Sequence, residues 1–345
     1  MNNHSETSYI TPCSVIEHNS FHILAFLQHS RSILSLSCLR SMEIFPQILL
    51  TGASGLIGSA LALGFTSQSI PFTSLVRRAA PPGSSSIVWN PYEFEFREEM
   101  RRLSGIRAVI HLAGENVSDG RWTKEKKQRI RSSRVKTTQS LVQLLFRLEQ
   151  RPEVLLSASA TGFYGHRGAE ILTEASPPGE GFLAEVCREW EAEAEKAAEL
   201  GIRVVNLRFG VVLTPAGGAL AKMLPMFRMG MGGRLGNGEQ WMSWISLPEI
   251  PRVVDFCIGN PKIQGPVNVV ANPVRNQEFT EMLGRHLHRP ALLPAPAFVL
   301  RLAVGKMADA ALLASTRAVP EKLLKNGFIF QHPTLPEALQ HMLPV

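Results

Sequence analysis

A chain of 345 residues with 36 Lys and Arg against 29 Asp and Glu can bury a large core in one or two domains, and so small a basic excess does not demand a polyanionic partner. Its four cysteines, Cys13, Cys38, Cys187 and Cys257, form no Cys-x-x-Cys pair, which argues against a zinc site or disulfide framework and suits a reducing compartment. The most apolar early stretch, residues 21–39, is broken by Gln28, His29 and Arg31 and so lacks the roughly 20 unbroken apolar residues that span a bilayer.

Residues 1–42 are rich in Ser and His, poor in acids and without sustained periodicity, so they are expected to be disordered or outside the fold. Two readings compete. An organellar targeting segment should carry more arginine than Arg31 and Arg40 supply. An upstream extension ahead of a start at Met42 fits better, since residues 43–50 run directly into the first strand. A cytoplasmic location follows, with organellar targeting as the alternative.

The run Leu49-Leu50-Thr51-Gly52-Ala53-Ser54-Gly55-Leu56-Ile57-Gly58, resuming as Ser59-Ala60-Leu61-Ala62-Leu63, predicts a strand, a tight turn and a helix. Gly52 lets the chain turn, Gly55 lets backbone approach a pyrophosphate, and Gly58 lets the helix pack closely on the sheet. The free N–H groups and positive dipole end of such a helix attract phosphate. Gly52, Ser54, Gly55, Leu56, Ile57 and Gly58 are therefore the candidate dinucleotide cradle. The next strand, residues 71–76, ends in Arg77-Arg78, where an acidic residue would hold the ribose of NAD and arginine accommodates a 2′-phosphate. The cofactor expected is NADP (NADPH).

A short strand at 87–89 and a helix over 93–103 lead to a strand from Ile106 that ends in small residues, so Leu112, Ala113 and Gly114 should line the cofactor with backbone. The helix over 121–136 carries eight basic residues against Glu125. Apart from Trp122 no aromatic residue interleaves with them and no known binding module accompanies them, so this is a solvated face and no nucleic-acid partner is expected; Arg134 is the member expected to turn inward to the cofactor phosphates. The strand over 152–160 ends in hydroxyls, with Ser157 assigned to the cofactor, and is followed by Thr161-Gly162-Phe163-Tyr164-Gly165. Phe182, Val186, Trp190, Ala194 and Ala197 share one helix face, and a strand over 203–210 follows.

Strands alternating with helices in this rhythm predict an α/β fold, a doubly wound parallel sheet with helices on both faces. Residues 43–213 form the expected cofactor domain and 214–345 a smaller substrate-side lobe, some of whose strands interleave with the sheet. Glycines and methionines from Thr214 to Trp244 read equally as a mobile cover and as a loop filling core gaps. The last segment, 290–345, mixes proline turns with apolar helices such as 298–304 and carries no evident chemistry.

Together, Thr51 to Gly58, His111-Leu112-Ala113-Gly114-Glu115-Asn116, Arg121-Trp122, Ser157 to Gly165, Phe182 to Cys187, Arg208 to Leu213 and Trp241 to Ile245 make the chain, from about Ile44 onward, resemble the short-chain dehydrogenase/reductase superfamily. More closely it resembles the atypical, sugar-epimerase-like branch of the NAD-dependent epimerase/dehydratase group, which has a C-terminal domain of unknown function and is sometimes labelled cell-division-inhibitor-like. The resemblance implies a Rossmann fold with NADP bound in the amino-terminal part and a substrate cleft under the carboxyl-terminal part. Typical members use a tyrosine as acid/base, a lysine four residues later that lowers its pKa, and a serine on the substrate oxygen. Ser159 matches the serine. The tyrosine position falls at Leu183 and the lysine position at Cys187.

No Tyr-x-x-x-Lys occurs elsewhere, since Tyr9, Tyr92 and Tyr164 are followed four residues on by Cys13, Phe96 and Gly168. Tyr164, Glu185 and Cys187 remain as candidates for the missing acid. The expected activity is an NADP-dependent oxidoreductase or epimerase acting on an unidentified small molecule, sugar-nucleotide-like in the leading case. Its rival is a non-catalytic NADP-dependent binding or regulatory protein, with cell division suggested only by analogy. No metal and no membrane partner are expected, and the protein is expected to be a monomer or homodimer.

Overall fold

Short strands that are apolar at nearly every position need cover on both faces. The computed structural model, which describes residues 47–78, 85–93, 103 and 105–344, provides it around one seven-stranded sheet. Its strands are β1 (Gln47–Thr51), β2 (Phe72–Val76), β3 (Ser86–Val88), β4 (Ile106–His111), β5 (Val154–Ala160), β6 (Arg203–Phe209) and β7 (Gly265–Val269). Their order is β7-β6-β5-β4-β1-β2-β3 and every pairing is parallel. Chain order reverses between β1 and β4, which opens a crevice at the carboxyl ends of those two strands. The doubly wound Rossmann architecture expected from the sequence is the one found.

The helices are α1 (Leu56–Ser67), α2 (Lys124–Phe146), α3 (Phe182–Glu195), α4 (Gly218–Arg228), α5 (Glu249–Gly259), α6 (Asn276–His286) and α7 (Ala297–Val304), with short helices at Glu321–Lys325 and Leu335–Met342. Successive strand residues divide between two layers. Leu50, Ile110 and Leu156 pack with Leu61 and Phe65 of α1 and Val253, Val254 and Cys257 of α5. Leu49, Val109 and Leu155 pack with Leu141 and Leu145 of α2 and Ala194 of α3. The chain beyond residue 213 thus supplies both a covering helix and the edge strand β7.

Two expected helices differ at their ends. The one read over 121–136 starts at Lys124, because the Thr123 hydroxyl caps it by accepting from the Lys126 N–H, and it continues to Phe146 as its apolar face reaches the core. The one read over 182–197 stops at Glu195 and tightens into a 3₁₀ turn that Gly201, in the left-handed region, ends. The extension 1–42, and the helix expected over 93–103 except Glu93 and Leu103, lie outside the described residues.

In the glycine- and methionine-rich stretch, Trp244 is fully buried and Met223 packs beside Leu220 and Phe227, whereas Met226, Met229 and Met231 are exposed. Helix α7 buries none of its residues, and Phe298 and Leu302 face solvent. Among the described residues no helix is long and apolar enough to cross a membrane.

Candidate cofactor site and active site

The turn between β1 and α1 is shaped by its glycines. Gly52 has φ +73°, and a Cβ there would lie 2.7 Å from the carbonyl of Leu112. A Cβ on Gly58 would collide with the Gly52 carbonyl, so α1 reaches its seat only because both positions lack side chains. The Gly55 N–H donates to the Gly52 carbonyl at 3.0 Å. No side chain caps α1 and no acid stands in its first turn, which leaves its leading N–H groups for an anion. Ser54 and Gly55 are exposed, and Leu56 and Ile57 are half-buried. Arg77 and Arg78 are exposed just past β2, and neither forms an ion pair among the described residues. Leu112, Ala113 and Gly114 continue from β4 beside this turn. These residues fit a dinucleotide with a 2′-phosphate.

Beneath the turn lies a residue that the sequence reading passed over. His111 is fully buried, with Nδ1 2.7 Å from the Thr51 hydroxyl and Nε2 3.0 Å from the Thr138 hydroxyl. Thr138 donates to the Arg134 carbonyl, so it must accept from Nε2–H; Thr51 accepts from the Leu112 N–H and gives its own proton to Nδ1. The ring is therefore neutral, and burial pulls its pKa from 6.5 down to about 3. One chain of hydrogen bonds ties the phosphate turn, the end of β4 and α2 together.

The candidates on β5 are placed differently from one another. Ser157 is wholly buried beside His111 in the sheet and has no open side toward the crevice. Ser159, on the same face, is also buried, and its hydroxyl donates to Glu191 Oε1 at 2.6 Å. Glu191 in turn receives both Nε and Nη2 of Arg208 at 2.8 Å. Arg208 lies 3.5 Å over the Phe163 ring and donates to the Tyr164 hydroxyl, which donates to Asn268 Oδ1 at 2.7 Å. The backbone N–H of Asn268 donates to Glu174 Oε1.

Tyr164 is thus a fully buried member of a polar network, and burial raises its pKa. Cys187 is buried too, its thiol pushed up to about 11 by burial and by Glu191, so at neutral pH it stays protonated and is a poor nucleophile. Glu185 is exposed in the first turn of α3. Buried as they are, neither Tyr164 nor Cys187 brings an acid to the open crevice.

At the tyrosine position, Leu183 stands against Gly162, where an added Cβ would lie 3.3 Å from the leucine Cβ. Leu183 also belongs to an apolar cluster with Val117, Trp122, Phe182, Val304 and Met307. Arg121 fastens this closure by donating to the carbonyls of Leu302 and Ala303 at the end of α7. Across from the phosphate turn, Gly217 and Gly218 face Leu56, and Lys222 of α4 donates to the Ser118 hydroxyl beyond β4. Thr161, half-buried directly after β5, makes no side-chain hydrogen bond among the described residues.

Arg134 does turn inward. Its guanidinium lies 5.2 Å over the Trp190 ring of α3 and 3.3 Å from where a Cβ on Gly114 would be. The docking of α2 on α3 sets this register: Lys127 sits over Phe182, Arg131 pairs with Glu189, and the next turn of α2 brings Arg134 to Trp190.

His111, Thr161, Glu191 and Arg208 were assigned no role from sequence. Arg208 carried the clearest signal, since a guanidinium inside the apolar strand Arg203–Phe209 needs a buried partner.

Residues 48–270 match the NAD dependent epimerase/dehydratase family, and residues 295–342 match a domain of unknown function (DUF1731). The epimerase family protein Mb2239 of Mycobacterium bovis is 41% identical over 85% of this chain and 96% of its own length. The chloroplastic SDR39U1 homolog of Arabidopsis thaliana is 36% identical over 89% of each chain. Among solved structures, human epimerase family protein SDR39U1 with NADPH superimposes with a TM-score of 0.77 at 28% identity, over 86% of this chain and 98% of that one. With its sheet order, glycine turn and full-length relatives in agreement, the chain belongs to the NAD dependent epimerase/dehydratase family.

Proposed function

We propose that the protein binds NADP(H) and acts as an atypical short-chain oxidoreductase or epimerase on a small, sugar-nucleotide-like molecule without a Tyr-Lys pair. The observation that carries this reading is the uncapped first turn of α1 together with two exposed arginines at the end of β2 that form no ion pair among the described residues. The human relative crystallised with NADPH supports the same cofactor. When bound, NADPH supplies hydride.

The chain's own residues divide the remaining work. The glycine turn holds the phosphates and His111 fixes the turn to β4. The buried Ser159–Glu191–Arg208–Tyr164 network holds the end of β5 in place, and the free hydroxyl of Thr161 meets the substrate oxygen. The apolar cluster at Leu183 keeps water out.

That same cluster favours a second reading, an NADP-dependent binding protein without turnover, because an apolar group fills the place of the proton donor. Two measurements separate the readings. NADPH should raise the melting temperature in either case, as any ligand selective for the native state does. Oxidation of NADPH, or isotope exchange from it, with a panel of carbonyls and sugar nucleotides supports the enzyme; protection without turnover supports the binder. Absence of protection sinks both.

The compartment we propose is the cytoplasm. The chloroplastic name of the Arabidopsis relative supports the organellar alternative, and imaging a fluorescent fusion with and without residues 1–41 decides between them.

A further inference from the structure

The lysine of typical family members would stand at Cys187, which is buried and uncharged here. A cation nevertheless reaches that place from a different helix. Arg134 has five N–H donors, and its only hydrogen bond among the described residues is from Nη1 to the Ile130 carbonyl one turn back, at 3.1 Å. No carboxylate among the described residues forms an ion pair with it; the nearby Glu115 is taken by Lys126 and Arg129. Burial lowers its pKa while Cys187 and Glu115 act to raise it, so the guanidinium shares an electrostatic neighbourhood with the thiol. Next to it the indole N–H of Trp190, itself buried, has no acceptor among the described residues.

The position along the crevice is set by the sheet. A dinucleotide lies across the strand ends at the switch point. Arg77 and Arg78 at the end of β2 mark its 2′-phosphate end, and the glycine turn after β1 marks the pyrophosphate. Its other half then crosses β4 toward β5. Arg134 belongs to that half: it faces Gly114 beyond β4 and stacks over Trp190, one helical turn past Cys187, whose thiol neighbours Ser159 and Ala160 at the end of β5. It is a contact for the second ribose, away from the phosphates to which the sequence assigned it.

We infer that Arg134 replaces the missing lysine as the cation that holds the nicotinamide-side ribose hydroxyls of NADP(H). The inference rests on the NADP reading above. A guanidinium that stays protonated can hold and orient those hydroxyls, but it cannot relay a proton as a lysine can. The same substitution that keeps the cofactor aligned therefore removes one proton path from the site.

The test compares wild type with Arg134→Ala and Arg134→Lys by calorimetric titration against three probes: NADPH, 2′-phospho-ADP-ribose and 2′-phospho-ADP. The last keeps both linking phosphates and lacks the second ribose. Loss of a charge-assisted contact should weaken NADPH and 2′-phospho-ADP-ribose by about 10- to 100-fold in Arg134→Ala. Affinity for 2′-phospho-ADP should stay unchanged, which also reports that the variant is folded. Arg134→Lys should recover part of the loss. Equal weakening of all three probes would make Arg134 a phosphate ligand and overturn the inference, as would no change in any. Failure of the wild type to bind any probe would instead remove the NADP reading itself.

Discussion

Replacing Glu191 with alanine should destabilise the protein far more than an ordinary surface change. Glu191 and Arg208 form two hydrogen bonds of 2.8 Å, with side-chain exposures of 11% and 4%. Deleting the carboxylate strands a buried guanidinium and leaves the Ser159 hydroxyl without its acceptor. Removing one partner of a buried pair costs about 3–5 kcal/mol, because the remaining charge keeps its desolvation penalty. At roughly 2 °C per kcal/mol for a chain of this size, the melting temperature should fall by about 6–10 °C. Glu191→Leu combined with Arg208→Met removes both charges together, so it should recover much of the loss. Calorimetry on the two single variants and the double variant measures this. Single variants melting within about 2 °C of wild type would refute the reasoning, since the pair would then be solvated or dispensable.

His111 predicts an acid dependence. Its folded pKa lies near 3 against 6.5 unperturbed, so the unfolded chain takes up the proton first. The stability it contributes is complete above about pH 6.5 and declines as pH falls toward 3, by about 2–3 kcal/mol at about pH 4.5. His111→Gln should flatten the denaturant-midpoint profile over that window by this amount, and an unchanged slope would contradict the buried neutral ring. Thr161→Val should leave NADPH affinity unchanged and lower turnover at least about tenfold, as expected when a donor to the reacting oxygen is lost. Ser159→Ala should cost about 1 kcal/mol of stability and spare turnover; the opposite pattern would return the substrate contact to Ser159.

The cofactor half of the site was legible because its constraints are local. Gly52, Gly55 and Gly58 stand within one turn, and a backbone that must bend at Gly52 and pack a helix at Gly58 has no room for a side chain at those two positions. The strand-end rule likewise drew attention to Arg77, Arg78 and Gly114. The polar network under β5 was not legible, since Ser159, Glu191, Arg208 and Asn268 come from four elements and meet only when β6 and β7 join the sheet. Ser159 resembled a substrate-facing serine because a short motif does not reveal which face of β5 its hydroxyl takes. Leu183 and Cys187 were located by resemblance, but the apolar closure around Leu183 draws on Val304 and Met307, more than a hundred residues away. Arg134 was read as turning inward; its neighbours depend on how α2 docks against α3, which the sequence pattern leaves open.

The central claim is that the turn at Gly52–Gly58 and the arginines after β2 form an NADP site. Titration of the wild type and of an Arg77→Ala/Arg78→Ala variant with NADPH and NADH tests it most directly. The account predicts that wild type prefers NADPH by at least about tenfold, and that the variant loses this preference while retaining its affinity for NADH. Equal binding of the two cofactors by wild type, or a preference that survives in the variant, would contradict it.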